Sequence, residues 1–239
     1  MITNRKSALI AGIALIFMAA VAVFIYGYIH NMLLVPGNPE ATAVNLESHR
    51  WLFHTEILGW HVILLLDVVV AWALYILFKN ENRKLSAFAA GLRFVYSAIL
   101  GVAILNFIYI LKILNGSFAM TQQMANEQIM SFLQSFERTL SFGLIIFGFH
   151  LLILGFLALK SKYILRFWGI LLIFAAISYI IIHSAKFFLP EFESQIKFVE
   201  NVLSLPMAFG EIGFAFWLIF RGGKPVMDYK PGNELTPQS

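Results

Sequence analysis

Apolar residues run along this chain in six long blocks separated by short polar ones. They cover roughly Ser7–Ile29, Ile57–Phe78, Leu85–Leu114, Leu140–Leu159, Leu165–Leu189 and Leu203–Phe220. Each approaches or exceeds the ~20 residues a helix needs to cross a bilayer. The third block is long enough to tilt or to extend beyond the membrane. The first follows Asn4-Arg5-Lys6, as a signal peptide would. Its apolar run is too long for such a segment and no small-residue cleavage site follows, so a retained helix is expected.

The polar intervals set the connections. Lys79–Lys84 and Lys160–Arg166 are short and predict antiparallel neighbours. His30–Glu56 reads as the longest loop and includes Pro36-Gly37-Asn38-Pro39. Gly116–Thr139 carries Gln122, Gln123, Glu127, Gln134 and Glu137 among Met and Phe, and predicts an amphipathic helix lying at the membrane interface. Residues 223–239 are polar and proline-bearing and are expected to form a disordered cytoplasmic tail. Residues 1–222 then form a single transmembrane helical domain. There is no internal repeat of the kind that marks inverted-repeat transporters.

Composition agrees with this pattern. Apolar residues make up 60% of the 239 and charged residues 13%, against about 25% charged in soluble domains. The expected fold is all-α, a polytopic transmembrane helix bundle of about six spanning helices. Lysine and arginine orient it. One side holds Arg5, Lys6, Lys79, Arg83, Lys84, Lys160, Lys162, Arg166, Arg221, Lys224 and Lys230. The other holds Arg50, Lys112, Arg138, Lys186 and Lys197, with Arg93 inside a helix. The richer side is the expected cytoplasmic one, which places both termini in the cytoplasm. The net charge of +4 comes from these loop charges and is no signal for nucleic acid. The chain has no cysteine, which removes disulfides, thiolate metal sites and cysteine nucleophiles.

Ionisable residues inside a bilayer are costly and usually face the bundle interior. Asp67, Arg93, His150, His183 and Glu211 fall within the blocks. Counted from the cytoplasmic ends at 1.5 Å per residue, Asp67 lies roughly 16 Å deep, Arg93 roughly 12 Å, and His150 and Glu211 roughly 14 Å. Tyr179 lies higher, at roughly 20 Å. Four helices thus bring an ionisable group near the midplane. Arg93 is a permanent cation facing two potential anions, Asp67 and Glu211. If both ionise, one negative charge is left over. Either a carboxyl holds a proton, or His150 is charged, or a cation or basic ligand binds. The plainer alternative is an Asp67–Arg93 ion pair that only clamps the second and third spans.

A second set lies toward the outer face. His49, His54, Glu56 and His61 stand at the entrance to the second span, and His183 lies high on the fifth, on a stripe with Tyr179 and Lys186. His54 and His61 share one helical face, while Glu56 and Asp67 share the nearly opposite one. One helix cannot aim all four at one ion, and no HExxH-like motif is present. No metal and no cofactor are therefore expected. The alternative metal set is His54, Glu56, His61 and His183. Trp51, Trp60, Trp168 and Trp217 read as interfacial belt residues. Asn106 and Ser141 read as interhelical hydrogen-bonding residues.

From Arg5 to about Gly223 the chain resembles the bacterial membrane family catalogued as domain of unknown function 4386. The resemblance rests on Leu64-Leu65-Leu66-Asp67 through Ala73-Leu74-Tyr75, on Leu92-Arg93-Phe94-Val95, and on Gly148-Phe149-His150-Leu151-Leu152-Ile153-Leu154-Gly155-Phe156. It continues in Ser161-Lys162-Tyr163-Ile164 and Trp168-Gly169-Ile170-Leu171-Leu172, and is most specific in Gly210-Glu211-Ile212-Gly213-Phe214-Ala215-Phe216-Trp217-Leu218. It implies a multi-pass protein of a bacterial cytoplasmic (inner) membrane and supplies no activity. The recognisable segments contain Asp67, Arg93, His150 and Glu211 but not His49, His54 or His61.

The leading expectation for function is binding or transport of a small polar ligand, cation or proton by Asp67, Arg93, His150, Tyr179, His183 and Glu211. A membrane-embedded, metal-dependent enzyme acting on lipid and a non-catalytic membrane partner subunit are the alternatives. Whether the chain is an enzyme stays open. Expected partners are membrane lipid and a small ligand or ion, with no nucleic acid; a homo-oligomer is left open.

Overall fold

The computed structural model describes residues 4–161 and 164–224. Among them the chain forms seven helices and no strand. They are α1 (Asn4–Leu33), α2 (Pro39–Ser48), α3 (Arg50–Phe78), α4 (Arg83–Leu114), α5 (Gln122–Lys160), α6 (Arg166–Phe188) and α7 (Glu193–Phe220). All but α2 are long and apolar enough to cross a membrane. The protein is a multi-pass bundle of six spans. Lys162, Tyr163, Lys230 and the tail from residue 225 onward lie outside the described residues.

Local chemistry sets the helix starts. Asn38 accepts from the Ala41 amide at 3.0 Å ahead of Pro39, Asn82 from the Leu85 amide at 3.0 Å, and Thr121 Oγ1 from the Met124 amide at 3.3 Å. Each satisfies an amide that the first turn leaves open. Gly116, with φ +68°, turns the chain out of α4 in a conformation that side chains disfavour.

Each span packs on the next, and α7 packs back on α1, so the six spans close into a ring. The α5–α6 contact depends on glycine. A Cβ on Gly155 would lie 2.9 Å from the Gly169 carbonyl oxygen and 2.6 Å from Ile173 Cγ1. Such small-residue contacts let backbones approach where lipid provides no hydrophobic drive. The α1–α7 seam uses the same device at Gly12, whose Cβ would lie 2.7 Å from the Ala215 carbonyl oxygen. Arg5 then donates to the carbonyls of Leu218, Ile219 and Gly222 at 3.1, 2.5 and 3.0 Å, which fixes the start of α1 beside the end of α7. Phe17, Leu58, Leu65, Phe88, Val102 and Phe216 point outward, as lipid-facing residues do.

Four expectations change. The expected loop His30–Glu56 is mostly helix: α1 runs on to Leu33, α2 follows, and α3 begins at Arg50. Gly116–Thr139 is not a separate interfacial helix. From Gln122 it continues into the fourth span as one 39-residue helix, about 58 Å long at 1.5 Å per residue and so far longer than the ~30 Å hydrocarbon core. Its extension carries α2, which packs on it. Trp60 is not an interfacial belt residue. It is 5% exposed and packs edge-on against Phe136 at 5.2 Å. Trp51, by contrast, is 66% exposed. The last span also begins earlier than expected, at Glu193.

Candidate functional site

Asp67 on α3, Arg93 on α4 and His150 on α5 meet in the bundle interior, all three buried. Arg93 grips one oxygen of Asp67: Nε lies 2.8 Å and Nη2 2.6 Å from Oδ1. Asp67 Oδ2 is buried without a hydrogen-bond partner among the described residues. Arg93 Nη1 lies 3.3 Å from His150 Nε2, and its guanidinium carbon sits 5.3 Å from the centre of the Phe147 ring.

The geometry assigns the histidine proton. His150 Nδ1 lies 2.9 Å from the Ala89 carbonyl oxygen, which can only accept. Nδ1 therefore carries the hydrogen. Arginine can only donate, so Nε2 accepts. His150 is a neutral imidazole in the Nδ1–H form, locked between α4 backbone and Arg93. A charged His150, one of the three ways of balancing the cluster, does not fit, because its Nε2–H would point at a guanidinium donor.

Glu211 on α7 is half-buried and reaches the cluster through a shared cavity. Leu15, Leu74, Arg93, Leu151, Leu154, Leu172, Glu211 and Phe214 line it, so each of the six spans contributes and the cavity lies at the centre of the ring. Its volume is about 10 Å³, close to what one water needs. Tyr179 on α6 lies close to Glu211. One turn further along α6, His183 stacks on Tyr179 with ring centres 5.8 Å apart, and its Nδ1 lies 2.8 Å from Ser141 Oγ on α5.

The alternative metal ligands do not converge. His54 and His61 are exposed, and His61 Nδ1 turns back to the Ile57 carbonyl at 2.8 Å. Glu56 is buried on the opposite face of α3, and His183 is engaged with Ser141. Among the described residues no group of three or more histidine and carboxylate side chains is placed to hold a metal ion. The physical reason is the angular step of the helix, which sends residues 54 and 61 away from residue 56.

A second buried polar cluster was not anticipated. His30, 2% exposed, lies between two carboxylates: Nδ1 is 2.7 Å from Glu56 Oε1 and Nε2 is 3.4 Å from Glu137 Oε1. Glu56 is fully enclosed, whereas the Glu137 side chain is 42% exposed. Tyr26 stacks on the imidazole at 5.0 Å. A π-helical stretch, Val23–His30, delivers the histidine; its wider turn changes the angular step and brings Ile29 and His30 inward together. Such stretches recur at functional positions. The available signal was a histidine closing one apolar block and a glutamate opening the next.

The family model described as Domain of unknown function (DUF4386) matches residues 10–222. An uncharacterized protein of the archaeon Archaeoglobus fulgidus is 32% identical over 171 residues, which cover 71% of this chain and 85% of that protein. This similarity reaches beyond bacteria. No solved structure matches. The matched region holds all six spans but for the first residues of α1, together with Asp67, Arg93, His150 and Glu211, and the chain belongs to the DUF4386 family.

Proposed function

We propose that this protein binds a single proton at the centre of its helix ring and uses it to drive a conformational or transport step. The support is a charge count made at one cavity. Asp67 and Glu211 share one permanent cation, Arg93, and His150 is held neutral by its own hydrogen bonds. The surplus negative charge has to be offset inside a low-dielectric interior. A cavity of about 10 Å³ suits a proton with a water better than an organic ligand. Glu211 is the exchanging group, because Asp67 is held by Arg93 while Glu211 faces the cavity and Tyr179. The end of the bundle that holds the termini faces the cytoplasm, as its lysines and arginines indicate, and the membrane is the cytoplasmic one.

The test is a pH titration of tryptophan emission on detergent-purified protein. Trp168 packs against Gly213, two residues from Glu211, and so reports on that site. The expected result is a one-proton transition that disappears in Glu211→Gln while the variant stays monodisperse. No transition in the native protein, or one unchanged in both Glu211→Gln and Asp67→Asn, removes the proposal.

The tight enclosure of Asp67 and Arg93 favours a second reading, a purely structural clamp in a non-catalytic subunit. It predicts that the same variants shift thermal stability and nothing else. The lipid-acting metal enzyme has no comparable support, since its ligands lie on separate faces.

A further inference from the structure

One face of α6 carries Tyr179, His183 and Lys186 in successive turns. Each has a partner on a neighbouring helix. Lys186 Nζ lies 2.6 Å from Glu200 Oε1 on α7, His183 Nδ1 lies 2.8 Å from Ser141 Oγ on α5, and Tyr179 reaches Glu211 on α7. Burial along the row is greatest at His183, with Tyr179 and Glu211 partly buried. The Lys186 and Glu200 side chains are 36% and 34% exposed, and His183 is 6% exposed. By position along α6, the row runs from the end away from the termini to Glu211 at the central cavity. A row of polar groups across half a membrane protein is expensive unless water or ions use it.

The surrounding packing leaves that end looser. The Asn4–Ala22 part of α1 seals against α7, while its π-helical part packs instead on α3. The seam between the first and last spans is thus tight only in its terminal half.

We propose that this row is a water-accessible track by which protons reach Glu211 from the end of the bundle away from the termini. It rests on the reading of Glu211 as the proton-binding group. In the last step Tyr179 gives its phenolic proton to the Glu211 carboxylate while its oxygen takes one from a hydronium ion on the track, which is left as water. The tyrosine is unchanged, the carboxyl gains one proton, and the reverse step returns it. The charged and titratable groups around Glu211 are Tyr179 from α6 and Arg93 and Tyr96 from α4, with Asp67 of α3 and His150 of α5 behind Arg93. The residue that α1 places in the cavity, Leu15, is apolar.

The chain has no cysteine, so single thiols can be read without background. Ser141→Cys puts one on the track; Ile181→Cys puts one at the same depth on the lipid-facing side of α6, where Ile181 is 59% exposed. Sealed vesicles of either orientation are treated with a membrane-impermeant cationic methanethiosulfonate, and labelling is followed by mass spectrometry. The expected result is labelling of Ser141→Cys about tenfold or more faster than Ile181→Cys, because the reactive thiolate forms in water and not in lipid. It should occur only from the side away from the termini. Equal rates, or labelling from the terminal side, would overturn the track and leave the Glu211 titration standing. A labelled track beside a flat pH titration would remove the proton-binding reading and keep the track.

Discussion

Arg93 holds Asp67 by one oxygen, not two: Nε and Nη2 both meet Oδ1, and Oδ2 lies buried and unpaired. An arginine can bridge both oxygens of a carboxylate in a parallel fork. The remaining guanidinium nitrogen, Nη1, is turned to His150, so the arginine ties three helices.

Removing both partners of that pair should cost less than the sum of removing each alone. Arg93→Gln leaves Asp67 without its cation in the interior and should destabilise by about 3–5 kcal/mol. Asp67→Asn/Arg93→Gln should lose less than the sum of the two single variants, with a coupling of roughly 0.5–3 kcal/mol. Thermal unfolding in detergent, run as a double-mutant cycle, checks this. Additive effects would mean that the contact is energetically idle.

The His30 cluster predicts an asymmetry between its two glutamates. His30→Ala strands the enclosed Glu56 and should destabilise by about 3–5 kcal/mol. Glu137→Gln acts on a half-exposed side chain 3.4 Å from the imidazole, and should cost about 1 kcal/mol or less. Proteolysis at the α1–α2 connection, followed over time, should accelerate sharply in the first variant and little in the second.

Two glycines separate packing from helix propensity. Gly155→Val drives a side chain into the Gly169 backbone and Ile173 and should cost several kcal/mol, at or beyond the ~1–3 kcal/mol typical of overpacking. Gly91→Ala meets nothing within 4 Å and should stabilise by roughly 0.5–1 kcal/mol. Melting temperatures of the purified variants decide it, and a loss of stability in Gly91→Ala would contradict the packing described.

The six spans were legible because the bilayer imposes a length and a polarity on every crossing, and Asp67, Arg93 and Glu211 stood out as charges inside apolar blocks. Their depths followed from helix rise alone. The partners did not. Nothing in the order of residues says that His150 donates to the Ala89 carbonyl, since that depends on how α4 and α5 are rotated. The His30 cluster was hidden because α1 continues past its apolar block and because a π-helical stretch alters which residues face inward. Glu137 was misplaced for a related reason: a helix that leaves the membrane turns polar without ending, and composition cannot distinguish that from a separate interfacial helix.

The seam between α1 and α7 bears on how the molecule comes into being. Arg5 bonds to carbonyls 213 to 217 residues away. Synthesis delivers the first helix long before the last. Until α7 arrives, α1 is moored to α3 and, through His30, to Glu137 of α5, and the central cavity lacks its seventh-helix wall and the Glu211 carboxylate. The Asp67–Arg93 pair, formed by adjacent helices, is complete much earlier. Insertion can therefore place five helices in the bilayer with their buried charge already neutralised, and the surplus carboxylate enters only with the helix that closes the ring.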